Sequence, residues 1–406
     1  MYQLLVCSVD ELWLKGRNRS LYFRSLIKHL DKVIKAYHQA PVRLKNDSQR
    51  LTYSSAKPFS HETLLALLKV PGLAGIYPSI EVPLEFEEAK KLIQDEMQRA
   101  LLDYSEETVT FKVITKRINR HYPMKSMEIE REVGAHLLRN FSRLKVDVKK
   151  PTIKVDVRVL ETRMLVSLKF HRGVGGLPVG SAGHGVTLLS GGFDSPVASF
   201  LMAKRGLRQS FVFFHAYPYV GLEVVEKIKK LTQALVPFQR QTHLYIVPFG
   251  EIQKKISEVC REEYRTILFR QEMMKISELL ASKIKGECLV TGDALAQVSS
   301  QTLVNMSLMD KAVDIPILRP LIGFNKLETL RLATEIGTHD ISLIPHDDAC
   351  ALFAPENPII NPDKEYWAKL ASQVDWSQER EEALRKATVF NVLLNGEIYL
   401  EDNRLF

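Results

Sequence analysis

Apolar positions follow two rhythms along this chain, and the change between them comes near residue 170. Residues 2–9 read as a strand, and Phe23, Leu26, Ile27, Leu30, Val33, Ile34 and Tyr37 recur at the spacing of an amphipathic helix. Short strands are expected at 42–44 and 51–53, around Asn46 and Asp47, which closes a small α+β unit at residue 60. A second unit spans 61–170. It should hold a helix at 64–68 stopped by Pro71 and Gly72, an extended run at 76–82, an amphipathic helix at 86–102 and a strand at 109–114. Ser126 is placed to cap a helix with the stripe Ile129, Val133 and Leu137, and 153–159 with 164–170 alternate as a hairpin.

Beyond a glycine-rich linker over 171–185, apolar strands at 186–189, 210–215, 244–247 and 287–291 alternate with helical segments. That is the rhythm of a doubly wound parallel sheet of the α/β class, where ligands bind beyond the C-terminal ends of the strands. The first of these strands runs into Ser190-Gly-Gly-Phe-Asp-Ser195, with Pro196 suited to a first helical turn and Gly206 to a stop. Strand, glycine turn and helix N-terminus together make an anion site. The Walker A pattern is excluded because no lysine follows these glycines. A glycine turn without a ligand is the plainer alternative.

Three further segments fall at strand ends: Phe213-Phe214-His215, where an adenine fits; Thr291 to Thr302; and Leu318-Arg-Pro-Leu321 with Asn325 and Lys326 behind it. Chemistry on phosphates needs donors and cations, and Ser190, Ser195, Arg270, Arg319 and Lys326 supply them. Asp194 is suited either to magnesium or to an Asx turn capping the helix.

Composition is that of an ordinary globular chain, with 45% hydrophobic and 26% charged residues among 406. The net charge of +8 suits a polyanionic partner without requiring one. Basic residues gather at Lys15, Arg17 and Arg19, and again at Lys112, Lys116, Arg117, Arg120 and Lys125 with Asn119, His121 and Tyr122 interleaved. Each run reads as a solvated face or as a track for RNA phosphates with some stacking; two runs ahead of a phosphate-binding domain favour RNA. Cys7, Cys260, Cys288 and Cys350 form no CxxC and no zinc spacing, so neither a disulfide framework nor a structural metal site is indicated. Cys7 and Cys288 lie in apolar strands, whereas Cys350 sits in the polar stretch Pro345-His-Asp-Asp-Ala-Cys350, reactive or merely exposed. There is no signal peptide and no membrane-length apolar run, so a cytoplasmic protein is expected.

The string Ser190–Ser195 resembles the PP-loop of the ATP pyrophosphatases, and the whole chain resembles the ThiI type of tRNA 4-thiouridine synthetase. The shared motifs are Lys15-Gly-Arg-Asn-Arg19, Arg131-Glu-Val-Gly-Ala-His136, Gly175-Gly-Leu-Pro-Val-Gly180, the PP-loop, Val290-Thr-Gly-Asp293, Gln297-Val-Ser-Ser-Gln-Thr302 and Pro316-Ile-Leu-Arg-Pro-Leu321. The resemblance implies a ferredoxin-like domain over 1–60, a THUMP domain over 61–170 and an adenine nucleotide alpha-hydrolase-like PP-loop domain over 186–406. It implies adenylation of O4 of uridine 8 in tRNA with ATP and Mg2+, then displacement of AMP by persulfide sulfur, and in some members sulfur supply to thiamine. Nucleotide contacts carry over to Leu188, Leu189, Ser190, Gly191, Gly192, Ser195, Phe213, Phe214, Arg270, Gly292 and Gln301, with Asp194 and Lys326 tied to activation. RNA contacts are expected at Lys15, Arg17, Arg19, Lys116, Arg117 and Arg120.

Two departures shape the sulfur half. The sequence ends at Phe406 with no rhodanese domain, so a cysteine desulfurase is the expected persulfide donor. Ala349 stands where the sulfur-bearing cysteine of longer members aligns, leaving adjacent Cys350 as the candidate. A homodimer is a further expectation of the resemblance. The competing expectations are a PP-loop ligase for another substrate and a tRNA-binding protein whose thiolation has lapsed.

Overall fold

The computed structural model describes residues 2–47, 50–345, 355, 357–373 and 375–404, with 13–15, 17, 47, 364, 368 and 371–373 as backbone only. The chain forms two units, residues 1–19 with 33–175 and residues 20–32 with 176–406.

The first unit is built on one nine-stranded sheet. Its strands are β1 (Leu4–Val9), β2 (Val42–Asp47), β3 (Arg50–Ser55), β4 (Leu73–Val82), β5 (Val109–Arg117), β6 (Leu144–Val146), β7 (Ile153–Val159), β8 (Met164–Ser167) and β9 (His171–Arg172). The order is β2-β3-β1-β4-β8-β7-β5-β6, with β9 beside β4. The two α+β segments expected from sequence therefore share a sheet. The ten-residue β4 joins them by pairing antiparallel with β1 through its first part and with β8 through its end. The helices of this unit are α2 (His61–Leu68), α3 (Phe86–Leu101) and α4 (Ser126–Asn140), with the two ends of α1 (Arg19–Tyr37), whose residues 20–32 belong to the second unit. Ser126 is the first residue of α4 rather than its cap; the Glu128 carboxylate caps the turn by accepting from the Lys125 N–H at 2.8 Å. Ile93, Met97, Ile129, Val133 and Leu137 from α3 and α4 pack on Phe111, Val155 and Val157 of the sheet. These residues recur at four-residue steps, so each helix turns one face to the strands.

The second unit carries a seven-stranded sheet of order β14-β13-β10-β11-β12-β15-β16. The strands are β10 (His184–Leu188), β11 (Arg208–His215), β12 (Thr242–Pro248), β13 (Cys288–Val290), β14 (Ile317–Leu318), β15 (Thr388–Val392) and β16 (Ile398–Glu401). The first five of these run parallel, and β15 with β16 add an antiparallel edge. Phe211, Val212, Leu244 and Leu289 are buried to the last few per cent, as strands covered on both faces require. The helices are α5 (Asp194–Lys204), α6 (Glu223–Leu235), α7 (Gly250–Val259), α8 (Arg265–Ile284), α9 (Leu303–Asp310), α10 (Lys326–Ile336), α11 (His339–Leu343), α12 (Lys364–Gln373) and α13 (Ser377–Arg385). Gly206, just after α5, takes φ +89°, which lets the chain turn straight into β11. The sheet order reverses around β10, so β11 and β13 flank it and the crevice at its C-terminal end is the topological switch point.

Candidate active site

Ser190–Ser195 occupies that switch point. Leu189 N–H donates to the Val212 carbonyl at 2.9 Å, which fixes the exit of β10 against β11. The loop then holds itself: the Ser195 Oγ accepts from the Ser190 N–H at 2.8 Å and lies 3.0 Å from the Ser190 Oγ. Among the described residues no side chain caps α5, so the N–H groups of its first turn, with the positive end of its dipole, face an anion site. Ser190 is exposed and Ser195 buried, so the contact between their hydroxyls runs from the surface of the loop to its base.

Two features narrow this cradle. A Cβ at Gly292 would lie 2.6 Å from the Ser195 N, so only glycine lets the end of β13 approach the α5 N-terminus this closely. On the other side, the Lys326 Nζ at the start of α10 stands 3.4 Å from the Asp194 Oδ1, and Gln297 Nε2 donates to the Asp194 Oδ2 at 3.2 Å. A half-exposed pair of this kind contributes little to stability. The pair places a cation and a carboxylate side by side at the α5 N-terminus.

Behind the cradle lies a charge cluster that the sequence motif Val290-Thr-Gly-Asp293 hinted at without resolving. Asp293 is buried; its carboxylate accepts from Arg270 Nη2 at 2.5 Å, Thr291 Oγ1 at 2.8 Å, Gln301 Nε2 at 3.3 Å and Arg319 Nε at 3.4 Å. Arg270 also donates to Ser300 Oγ at 2.9 Å and Arg319 to Asp310 Oδ1 at 2.7 Å. Burial alone would push the Asp293 carboxyl up, but Arg270, Thr291 and Arg319 overcome it and hold it below the usual carboxylate range. Arg270 and Gln301, both expected at the nucleotide, are thus oriented by one aspartate. Removing it leaves the Arg270 guanidinium without its carboxylate and Arg319 with Asp310 alone. Asp293→Ala should therefore cost about 3–5 kcal/mol, seen as a lower urea midpoint. Because the folded pKa is depressed, this contribution is present at neutral pH and is lost as the pH falls through that lowered value.

The remaining expected residues divide. Phe213 lies at the end of β11 and stacks on His215 with centroids 6.4 Å apart. Phe214 points to the opposite face, where its ring meets Phe249 edge-on at 5.3 Å in the core, so only its backbone is left for a nucleotide. Leu188 ends β10 half-buried and Leu189 is buried. Cys350 lies outside the described residues. The three described cysteines are buried; burial pushes the Cys7 thiol up to about 12 and those of Cys260 and Cys288 to about 11.

In the first unit Lys116 and Arg120 are exposed and Arg19 half-exposed, while the side chains of Lys15 and Arg17 are not described. Arg117, half-exposed, donates from Nη1 to the carbonyls of Tyr122 and Met124, at 3.1 and 2.9 Å, which shapes the loop after β5. Tyr122, expected to stack on bases, is buried and donates to the Leu84 carbonyl at 2.9 Å. His121 is the exposed ring of that segment. Among the described residues no group of three or more His, Cys, Asp or Glu is placed to hold a metal, and no helix is long and apolar enough to cross a membrane.

Comparison with known proteins places this arrangement. Over 401 residues, 97% of this chain and 99% of the relative, it is 35% identical to a probable tRNA sulfurtransferase of Halothermothrix orenii. The chain belongs to the tRNA sulfurtransferase family. A second member, from Brevibacillus brevis, is 33% identical over 96% of both chains. The family model described as "Thiamine biosynthesis protein (ThiI)" matches residues 180–376, and the THUMP domain model matches residues 85–169. Among solved structures, a 4-thiouridine synthetase in complex with RNA and bound ATP superimposes with a TM-score of 0.88 at 31% identity, covering 99% of this chain and all of that one. The PP-loop architecture of the second unit is therefore that of the family.

Proposed function

We propose that this protein is an ATP-dependent tRNA sulfurtransferase that converts uridine 8 to 4-thiouridine. The observation that carries the reading is the uncapped α5 N-terminus behind Ser190–Ser195, with Asp194 and Lys326 3.4 Å apart at its mouth. A carbonyl oxygen on a pyrimidine leaves poorly, and adenylation corrects that. Uridine O4 attacks the α-phosphorus of ATP and pyrophosphate departs, leaving a C4–O–AMP link. The negative charge gathering on the phosphates is met by the α5 backbone N–H groups, the Ser190 hydroxyl and the Lys326 ammonium. The terminal sulfur of a persulfide on Cys350 then adds to C4, and AMP leaves with O4. An external thiol then attacks the Cys350 sulfur, forming a disulfide with it as the S–S bond breaks and 4-thiouridine leaves, and a second equivalent of thiol reduces that disulfide to free Cys350.

Asp194 suits magnesium, which needs one carboxylate and phosphate oxygens rather than a cage of protein ligands; bound there, the ion would neutralise pyrophosphate charge. Lys15, Arg17, Arg19, Lys116 and Arg120 would track tRNA phosphates, with Arg117 ordering the loop beside them. A cysteine desulfurase supplies the persulfide sulfur in the cytoplasm, where the enzyme acts as a homodimer, with the ferredoxin-like segment at 1–60, THUMP at 61–170 and the PP-loop domain at 186–406. The same sulfur transfer would serve thiamine synthesis. The test is mass spectrometry of tRNA from a strain lacking the gene. Loss of 4-thiouridine at position 8 is expected, and its persistence would contradict the proposal.

A further inference from the structure

Lys227 is anomalous. It sits on α6 within the apolar stripe Val224, Val225, Ile228 and Leu231 and is only 2% exposed, where a leucine or methionine would pack without cost. Burial pulls its ammonium pKa down. What holds it there is polar. The Nζ donates to the Ser342 carbonyl at 2.8 Å and to the Ile344 carbonyl at 2.7 Å, at the C-terminal end of α11, where the unpaired carbonyls of a helix attract a cation.

The element so held touches the phosphate loop twice. The Ser342 Oγ donates to the Gly192 carbonyl at 3.2 Å, and the His339 ring lies 5.5 Å from that of Phe193, over which the Lys326 ammonium also stands at 5.2 Å. Ser342 thus joins Lys227 to the loop through its carbonyl and its hydroxyl. Ile344 is six residues before Cys350 in the sequence.

We propose that Lys227 is a positioning residue for sulfur transfer, registering the end of α11 on the Gly192–Phe193 corner of the phosphate loop. The loop has its own Ser190–Ser195 bonds, so adenylation does not depend on this register. The second step does, because the attacking sulfur must meet C4 before the adenylated uridine is lost to water. Small misplacements of reacting groups cost large factors in rate.

The proposal rests on the thiolation reading, and its test separates the two. Full-length wild type, Lys227→Met, Lys227→Arg and Ser342→Ala are each given tRNA, ATP, cysteine and a cysteine desulfurase, and AMP released is counted per 4-thiouridine formed. Lys227→Met should raise that ratio about tenfold through slower sulfur transfer, with the KM for ATP little changed. Lys227→Arg, which keeps the donors, should restore most of the coupling, and Ser342→Ala should raise the ratio in the same direction. A purely structural lysine would lower both products together, and an unchanged ratio in Lys227→Met would overturn the proposal. Should that variant fail to fold, an unchanged ratio in Ser342→Ala would overturn it equally. Wild type that forms no 4-thiouridine would instead defeat the thiolation reading itself.

Discussion

Cys350→Ser should lose 4-thiouridine formation by at least about a thousandfold while still consuming ATP in the presence of tRNA. A serine hydroxyl cannot carry a persulfide, whereas adenylation draws on groups in a different part of the sequence. The other cysteines offer no substitute. Cys7 lies inside β1, Cys288 in β13 and Cys260 at the end of α7, and burial pushes their thiols up to about 12, 11 and 11. At neutral pH such groups are thiolate only about one part in ten thousand or less, and the thiolate is the form that accepts sulfur. Cys260→Ser should accordingly thiolate at the wild-type rate. Full thiolation by Cys350→Ser would move sulfur delivery to free sulfide or to another thiol.

Asp194→Asn should cut AMP formation by at least about a hundredfold and leave tRNA affinity unchanged. The carboxylate is held by Lys326 and Gln297 at the rim of the anion cradle, and it is the group there suited to bind a divalent ion with the phosphates. Because the Asp194–Lys326 pair is partly exposed, its loss should alter stability by less than about 1 kcal/mol, so the fall in rate would report chemistry rather than unfolding. Activity retained in Asp194→Asn, measured as labelled AMP from ATP, would remove Asp194 from the reaction.

Much of this was legible because parallel strands buried on both faces spell continuous apolar runs. That is why β10 to β13, and the loop following β10, stand out in the sequence. The two-residue β14 shows in the sequence only as the strand end at Leu318, and the edge hairpin of β15 and β16 does not show, since short or half-exposed strands carry little pattern. Nor could spacing show that Arg270, Asp293 and Arg319, on three separate elements, form one cluster. Tyr122 and Lys227 were hidden for the same reason from opposite sides. A tyrosine in a basic run looks exposed but has an apolar body that buries, and a lysine on a helix looks solvated until its partner carbonyls are seen.

The proposed function makes the loop at Ser190–Ser195 catalytic, rather than merely anion-binding, through attack of uridine O4 on the α-phosphorus. It is tested most directly by following that oxygen. With tRNA carrying oxygen-18 at O4 of uridine 8, the purified enzyme, ATP and a persulfide donor should release AMP that carries the label, one labelled oxygen for each 4-thiouridine formed. Unlabelled AMP appearing alongside 4-thiouridine would mean that O4 was never adenylated, and would contradict the account.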